Sequence, residues 1–296
     1  MNGKEGRLTL TKWLGLLPAL TVLAVLFAGA LVFAAVQSFG HAPQYGVTEF
    51  PTLKYYRGVL GDDGFWVSLG ITFYYALVPT VLGGALSLAL ALSLSRRFRG
   101  KALALFLYRI PMVVPYLVGV SLAILLFANG GLFARLFHAL GVIATPADFP
   151  RLIQTSGGVG IMMVYLWKQV PFMTAMLYAN LIVIGRQPEE AATLLGASPW
   201  QTFRHVTLPR LMPALVGSTL IVFAFNFGAF EVPFILGAGY PNTLTVEAWR
   251  LFDNPDYSQR PAAMAIVCLL TLISAVCVLL YLMLSRRFDR TVGRAA

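Results

Sequence analysis

The sequence predicts an all-α integral membrane protein with six transmembrane helices and an amphipathic elbow between the fourth and the fifth. Three observations carry that prediction. The chain of 296 residues is 58% hydrophobic and only 11% charged, whereas soluble domains carry about 25% charged residues; its surface as well as its core must therefore face hydrocarbon. The apolar residues fall into six stretches, each of the roughly 20 residues that cross a bilayer core of about 30 Å as a helix. Lys and Arg crowd into one set of connecting segments and thin out in the other. The ten-residue alternation that marks barrel strands does not occur.

The spans are placed near 15–38, 67–92, 104–127, 159–183, 212–237 and 262–284, within a single domain over 1–296. The first follows Lys4, Arg7 and Lys12, as a signal peptide would. Its apolar run from Leu14 to Val36 is longer than the 7–15 residues of a cleaved h-region, so it is expected to be a retained span. Pro79, Pro111, Pro115, Pro171, Pro213 and Pro233 interrupt the spans; each frees a backbone carbonyl that a neighbouring helix or a cavity must satisfy. Turn-formers such as Gly61-Asp62-Asp63-Gly64 mark the outer connections. Cys268 and Cys277 sit nine residues apart in the sixth span, about 13 Å along a helix, too far for a disulfide.

Orientation follows from charge. One set of segments holds 14 Lys and Arg residues and the opposite set holds 6, so both termini are expected on the cytoplasmic side. The net charge of +10 is mostly this bias, and attraction to anionic lipid headgroups accounts for it without any nucleic acid. Other chemistry is missing from the chain. It contains no phosphate-binding G-x-x-x-x-G-K-[ST] and no H-E-x-x-H, and His41, His138 and His205 fall in loops or at interfaces. The chain is not expected to be an enzyme; a polytopic membrane enzyme is a distant alternative.

Between the fourth and fifth spans runs PEEAATLLGASPWQTFRHVTLPR, residues 188–210. Pro188 suits a first helical turn, and Glu189 and Glu190 then lie at the positive end of the helix dipole. Gly196 suits the left-handed residue that ends a helix. Ser198, Pro199 and Gln201 form a capping box that starts a second helix at once, which Pro209 is expected to end. Trp200, Phe203, Val206 and Leu208 are expected to pack on the bundle. A surface-lying connector and a docking element for another protein both fit these residues.

Arg109, Lys168 and Glu231 are ionisable groups within spans, where they are costly and usually face a partner or a water-filled path. Arg109 is near enough to the cytoplasmic end to snorkel. A Lys168–Glu231 structural pair and a path-lining role both meet the cost.

From Glu190 the elbow shows Glu-Ala-Ala, three residues, Gly196, nine residues, Val206, one residue and Leu208-Pro209. This spacing resembles the signature loop of permease subunits of binding-protein-dependent ABC importers of the type I fold, with Val206 in place of the family's Ile. The segments 108–119, 166–172 and 242–252 are similar in kind to other parts of that family. The resemblance implies that the elbow is a coupling helix. It would dock on a cytoplasmic ATPase dimer through Glu190, Ala191, Ala192 and Gly196, with Leu208 and Pro209 completing the signature. ATP and Mg would reside in that ATPase, with no cofactor in this chain. A second, homologous but different permease and an extracytoplasmic solute-binding protein complete the implied assembly, in a bacterial inner membrane. The outer stretch 231–252 looks most like the polyamine, thiamine and ferric-iron group. Glu231, Lys168 and Asn226 are then expected along the translocation path, with a polyamine or other cation as the solute. Phosphonate, sugar and other small organic solutes stay open.

Overall fold

The computed structural model describes residues 15–292, with side chains through 283; Lys4, Arg7, Lys12 and Arg294 lie outside the described residues. In chain order the helices are α1 Gly15–Ser38, α2 Lys54–Leu60, α3 Asp63–Ser95, α4 Lys101–Leu107, α5 Ile110–Val113, α6 Tyr116–Phe127, α7 Leu132–Ala139, α8 Val159–Ile184 and α9 Gln187–Leu194. They continue with α10 Pro199–Gly228, α11 Glu231–Leu236, α12 Leu244–Phe252 and α13 Arg260–Val292. A two-residue antiparallel pair, β1 His41–Ala42 with β2 Val47–Thr48, follows α1.

Five segments are long and apolar enough to cross a membrane: Gly15–Ser38, Asp63–Ser95, Tyr116–Ala139, Pro199–Gly228 and Tyr257–Met283. They fall on the first, second, third, fifth and sixth expected spans. The fourth is a 26-residue helix, α8, that does not belong to this apolar set. Lys168, Gln169 and Thr174 dilute its hydropathy, yet all three are buried. It is the central packing helix: Ile161, Tyr165, Met173 and Leu177 are fully buried along it.

By its contacts the chain forms two compact units. The larger covers Trp66–Val246 with 273–292 among the described residues. Its principal core joins Tyr75, Val120, Ile161, Tyr165, Val232 and Leu236, and a second cluster joins Ala91, Leu177 and Ala214. Lipid tails are as apolar as these side chains, so close packing rather than water exclusion holds such helices together. Gly84 shows the requirement: a Cβ there would lie 3.3 Å from Thr219 Cγ2. Gly158 caps α8 at φ +62, and a Cβ would lie 2.2 Å from Tyr75 Cε1. Among the described residues, the smaller unit comprises 15–65 with Glu247–Leu272. There Ser38 Oγ meets Tyr56 OH at 2.7 Å, and the Arg260 guanidinium lies 4.4–4.6 Å from the ring centres of Tyr45, Tyr257 and Phe252.

The structure corrects three details of the expected helices. The third span, expected as one stretch from 104 to 127, is broken into α4, α5 and α6. Val114 and Pro115 are extended there, because a residue before proline is pushed out of the helical region. The fifth span does not run unbroken to 237; it stops at Gly228, and Ala229 is extended before α11 begins. Pro209 does not end the elbow's second helix. A π turn over Phe203–Thr207 carries that helix into the span. Its wider hydrogen-bond register places Pro209 in the first turn of the following α segment, where the missing N–H costs little.

Candidate functional site

Two places concentrate the residues singled out in the sequence. The first is the elbow. Pro188 lies in the first turn of α9 with Glu189 and Glu190. The helix closes at Gly196, which sits at φ +85, and the Ala197 and Gly196 amides donate to the Ala192 and Thr193 carbonyls at 3.0 Å each. Ser198 then caps α10. Its Oγ accepts from the Gln201 amide at 3.3 Å, and Gln201 Oε1 accepts from the Ser198 amide at 2.8 Å. The result is helix, glycine turn, helix, as the spacing predicts.

Side chains then brace the elbow. Thr207 Oγ1 donates to Glu189 Oε1 at 2.7 Å, locking α9 onto the π turn, and Arg186 Nη2 donates to the Ser95 carbonyl at 2.9 Å. A cleft of about 630 Å³ lies beneath, lined by Leu92, Glu189, Thr193, Phe203 and Thr207 among others. The outward surface carries Glu190, Ala191 and Gly196, and also Leu194 and Leu195, each 89% exposed. Those two leucines were missed by the sequence reading; an apolar pair directly before a helix-ending glycine was the available signal. Ala192 is half-buried, and so are Phe203, Val206, Leu208 and Pro209. Trp200, expected against the bundle, is 63% exposed; its ring leans on Phe203 at 5.5 Å between centroids.

The second place is a groove of about 260 Å³ midway along α8, lined by Met112, Tyr116, Lys168, Gln169, Phe172 and Phe225 among others. Tyr116 and Phe225 stack at 5.0 Å and also line a neighbouring groove of about 540 Å³ that includes Phe230 and Glu231. Glu231 is exposed at the start of α11. Lys168 does not pair with it: the ion pairs among the described residues join Lys54 to Glu49 and Arg250 to Glu247. Instead Lys168 Nζ donates to the carbonyls of Pro111 at 2.5 Å, Met112 at 3.5 Å, and Val114.

Asn226 is buried behind the groove wall, at 3% exposure. It exchanges side-chain hydrogen bonds with Gln169, one of them at 3.2 Å, and approaches Thr80 Oγ1 at 3.4 Å. That clasp ties α3, α8 and α10 together. Gln169, Tyr116 and Phe225 were not singled out from sequence, because an amide or aromatic in a span is unremarkable until its partner is known. Among the described residues, no group of three or more His, Cys, Asp or Glu is gathered that could hold a metal ion.

A family model described as binding-protein-dependent transport system inner membrane component matches residues 83–292, which include the elbow and both grooves. The probable ABC transporter permease protein y4oQ of Sinorhizobium fredii (strain NBRC 101917 / NGR234) is 30% identical over 198 residues, 67% of this chain and 63% of that protein. The trehalose/maltose transport system permease protein MalF of Thermococcus litoralis is 28% identical over 255 residues, 83% of this chain and 84% of its own. The thiamine transport system permease protein ThiP of Salmonella typhimurium is 28% identical over 233 residues, 78% of this chain but 41% of that protein. Among solved structures, the bacterial alginate ABC transporter in complex with alginate pentasaccharide-bound periplasmic protein contains a chain that superposes with a TM-score of 0.78. The match covers 96% of both chains at 16% identity, which establishes a shared fold.

Proposed function

Because the chain belongs to the family of binding-protein-dependent transport system inner membrane components, we propose that it is one of two permeases in an ATP-driven importer and couples to the ATPase through its elbow. The observation that carries this reading is the helix–Gly196–helix elbow, which holds Glu190, Ala191, Leu194 and Leu195 outward on a braced frame. A surface presenting two leucines at 89% exposure beside the carboxylate of Glu190 suits insertion into a groove of another protein. Signature positions Leu208 and Pro209 join that frame to the fifth span, so a displacement of the elbow is transmitted to α10.

In this reading the six helices form one permease domain, with the elbow and both termini on the cytoplasmic side, as the 14 to 6 division of basic residues favours. A separate ATPase dimer binds ATP and Mg. A second, different permease completes the path, and an extracytoplasmic binding protein delivers the solute. Glu231 lines the path, and Lys168 and Asn226 fix its wall from behind. The carboxylate of Glu231 beside Tyr116, Phe225 and Phe230 favours a polyamine or other organic cation. A relative named for thiamine, itself an organic cation, fits that reading, while one named for trehalose/maltose and a structural neighbour named for alginate keep sugars and other organic solutes as the second reading.

The test is co-purification. The tagged chain, expressed with its candidate ATPase and extracted in mild detergent, is expected to bring the ATPase down. Binding-protein-stimulated ATP hydrolysis should accompany it. A chain that purifies alone and transports solute without ATP would remove the importer reading.

A further inference from the structure

The break in the third span leaves backbone carbonyls that a continuous helix would satisfy. In such a helix the carbonyl of Pro111 would accept from the amide of residue 115, but Pro115 has no N–H. Val114 is extended, with φ −73 and ψ 129, so the carbonyls of Met112 and Val114 also lose their partners four residues on. Carbonyls at membrane depth need an internal donor. The Lys168 ammonium is that donor: from α8 it reaches the carbonyls of Pro111, Met112 and Val114. Its nitrogen also lies 5.0 Å from the centre of the Tyr116 ring, and Tyr116 stacks on Phe225. Lys168 is 8% exposed, so its charge is held within this cradle of carbonyls and one aromatic face.

We propose that Lys168 is a positioning residue whose ammonium stands in for the backbone N–H groups lost at the Pro111–Pro115 break and thereby sets Tyr116 in the groove wall. The role follows from three donors on a compact charge meeting three carbonyls from the short helix α5 and the extended Val114 that follows it. A planar guanidinium fork fits that arrangement poorly, so Lys168→Arg is not a conservative change here. Lys168 acts on the path through the backbone of 111–116, rather than by meeting a solute. Transport activity is therefore not needed to test it, and its failure is separable from failure of the importer reading.

Fluorotyrosine placed at position 116 reports the ring environment by NMR, and amide exchange over 112–119 reports the break; both are measured on the full chain. Lys168→Met is expected to move the fluorine signal and to speed exchange by about tenfold or more, the loss of a charge-assisted hydrogen bond. Lys168→Ala should regain the native signal with n-propylammonium, whose N–H donors can enter the vacated cradle. Tetramethylammonium, a cation without N–H, should not restore it. If Lys168→Met does not assemble, Lys168→Met with Pro115→Ala should, because residue 115 then supplies an amide to the Pro111 carbonyl; its exchange should be slower than in the native chain. An unchanged fluorine signal and exchange in Lys168→Met overturns the proposal. Equal restoration by both cations, or failure of the added Pro115→Ala to recover assembly, does so too.

Discussion

The Gln169–Asn226 clasp decides what a polar side chain in a span is doing. Each amide bonds the other, so removing one leaves its partner with hydrogen-bonding capacity unmet in a buried site. Asn226→Leu should lower the detergent-solubilised protein's unfolding free energy by about 0.5–2 kcal/mol, the range for interhelical hydrogen bonds in membranes. Adding Gln169→Met should recover much of that loss in thermal unfolding; a fully additive loss would show that the two amides are not coupled. Glu231 stands in contrast, exposed at the rim of an aromatic groove. Glu231→Gln is expected to cut uptake of a cationic solute by about tenfold, the size of one charge-assisted contact, with complex yield and basal ATP hydrolysis unchanged. The assay is uptake across a panel of a labelled polyamine, thiamine and a disaccharide. Unaltered uptake of all three by a stable variant would take Glu231 off the path.

At the scale of elements, the elbow depends on one backbone conformation and one cap. A Cβ at Gly196 would meet nothing within 4 Å, yet φ is +85; the site refuses side chains by conformation, with space to spare. Gly196→Val should therefore abolish most binding-protein-stimulated ATP hydrolysis at normal membrane levels, whereas Gly196→Asn, which tolerates the left-handed region, should retain more. Equal activity in the two variants would place the coupling surface elsewhere. Ser198→Ala removes the cap on α10 and should cost about 1 kcal/mol of local helix stability, visible as faster exchange at Gln201. These features were legible in the sequence because Pro, Gly and the Ser–Gln capping pair act over three or four residues. The π turn at Phe203–Thr207 was not. It sits where the Thr207–Glu189 bond joins α10 to α9, a contact across 18 residues.

Across the whole molecule, the imbalance of basic residues is expected to orient the chain, with both termini cytoplasmic. A reporter active only in the cytoplasm, fused after Ala296, is expected to be active, and one inserted beside Asp62 inactive. The reverse pattern would invert the chain and move the elbow to the wrong side for an ATPase. The same scale explains why α8 escapes a hydropathy criterion. Two of its most polar side chains are spent inside the protein, on the 111–114 carbonyls by Lys168 and on Asn226 by Gln169. A central helix can therefore be less apolar than the helices that face lipid.

Composition, span length and charge bias by themselves determined the membrane class, the approximate places of the five apolar segments and the expected orientation. Each is a sum over many residues and tolerates error at any one. The short-range grammar of Pro188, Gly196, Ser198 and Gln201 likewise determined the helix–turn–helix of the elbow. Only the tertiary structure decided what Lys168 and Asn226 do. From the sequence, Lys168 faced either Glu231 or the path; in the fold it reaches carbonyls 54 to 57 residues away, exposed by a proline break whose geometry it helps to hold. Partner choice for a buried charge is set by which polar group lies within about 3 Å at the same depth, and depth along one helix does not determine what a neighbouring helix presents there.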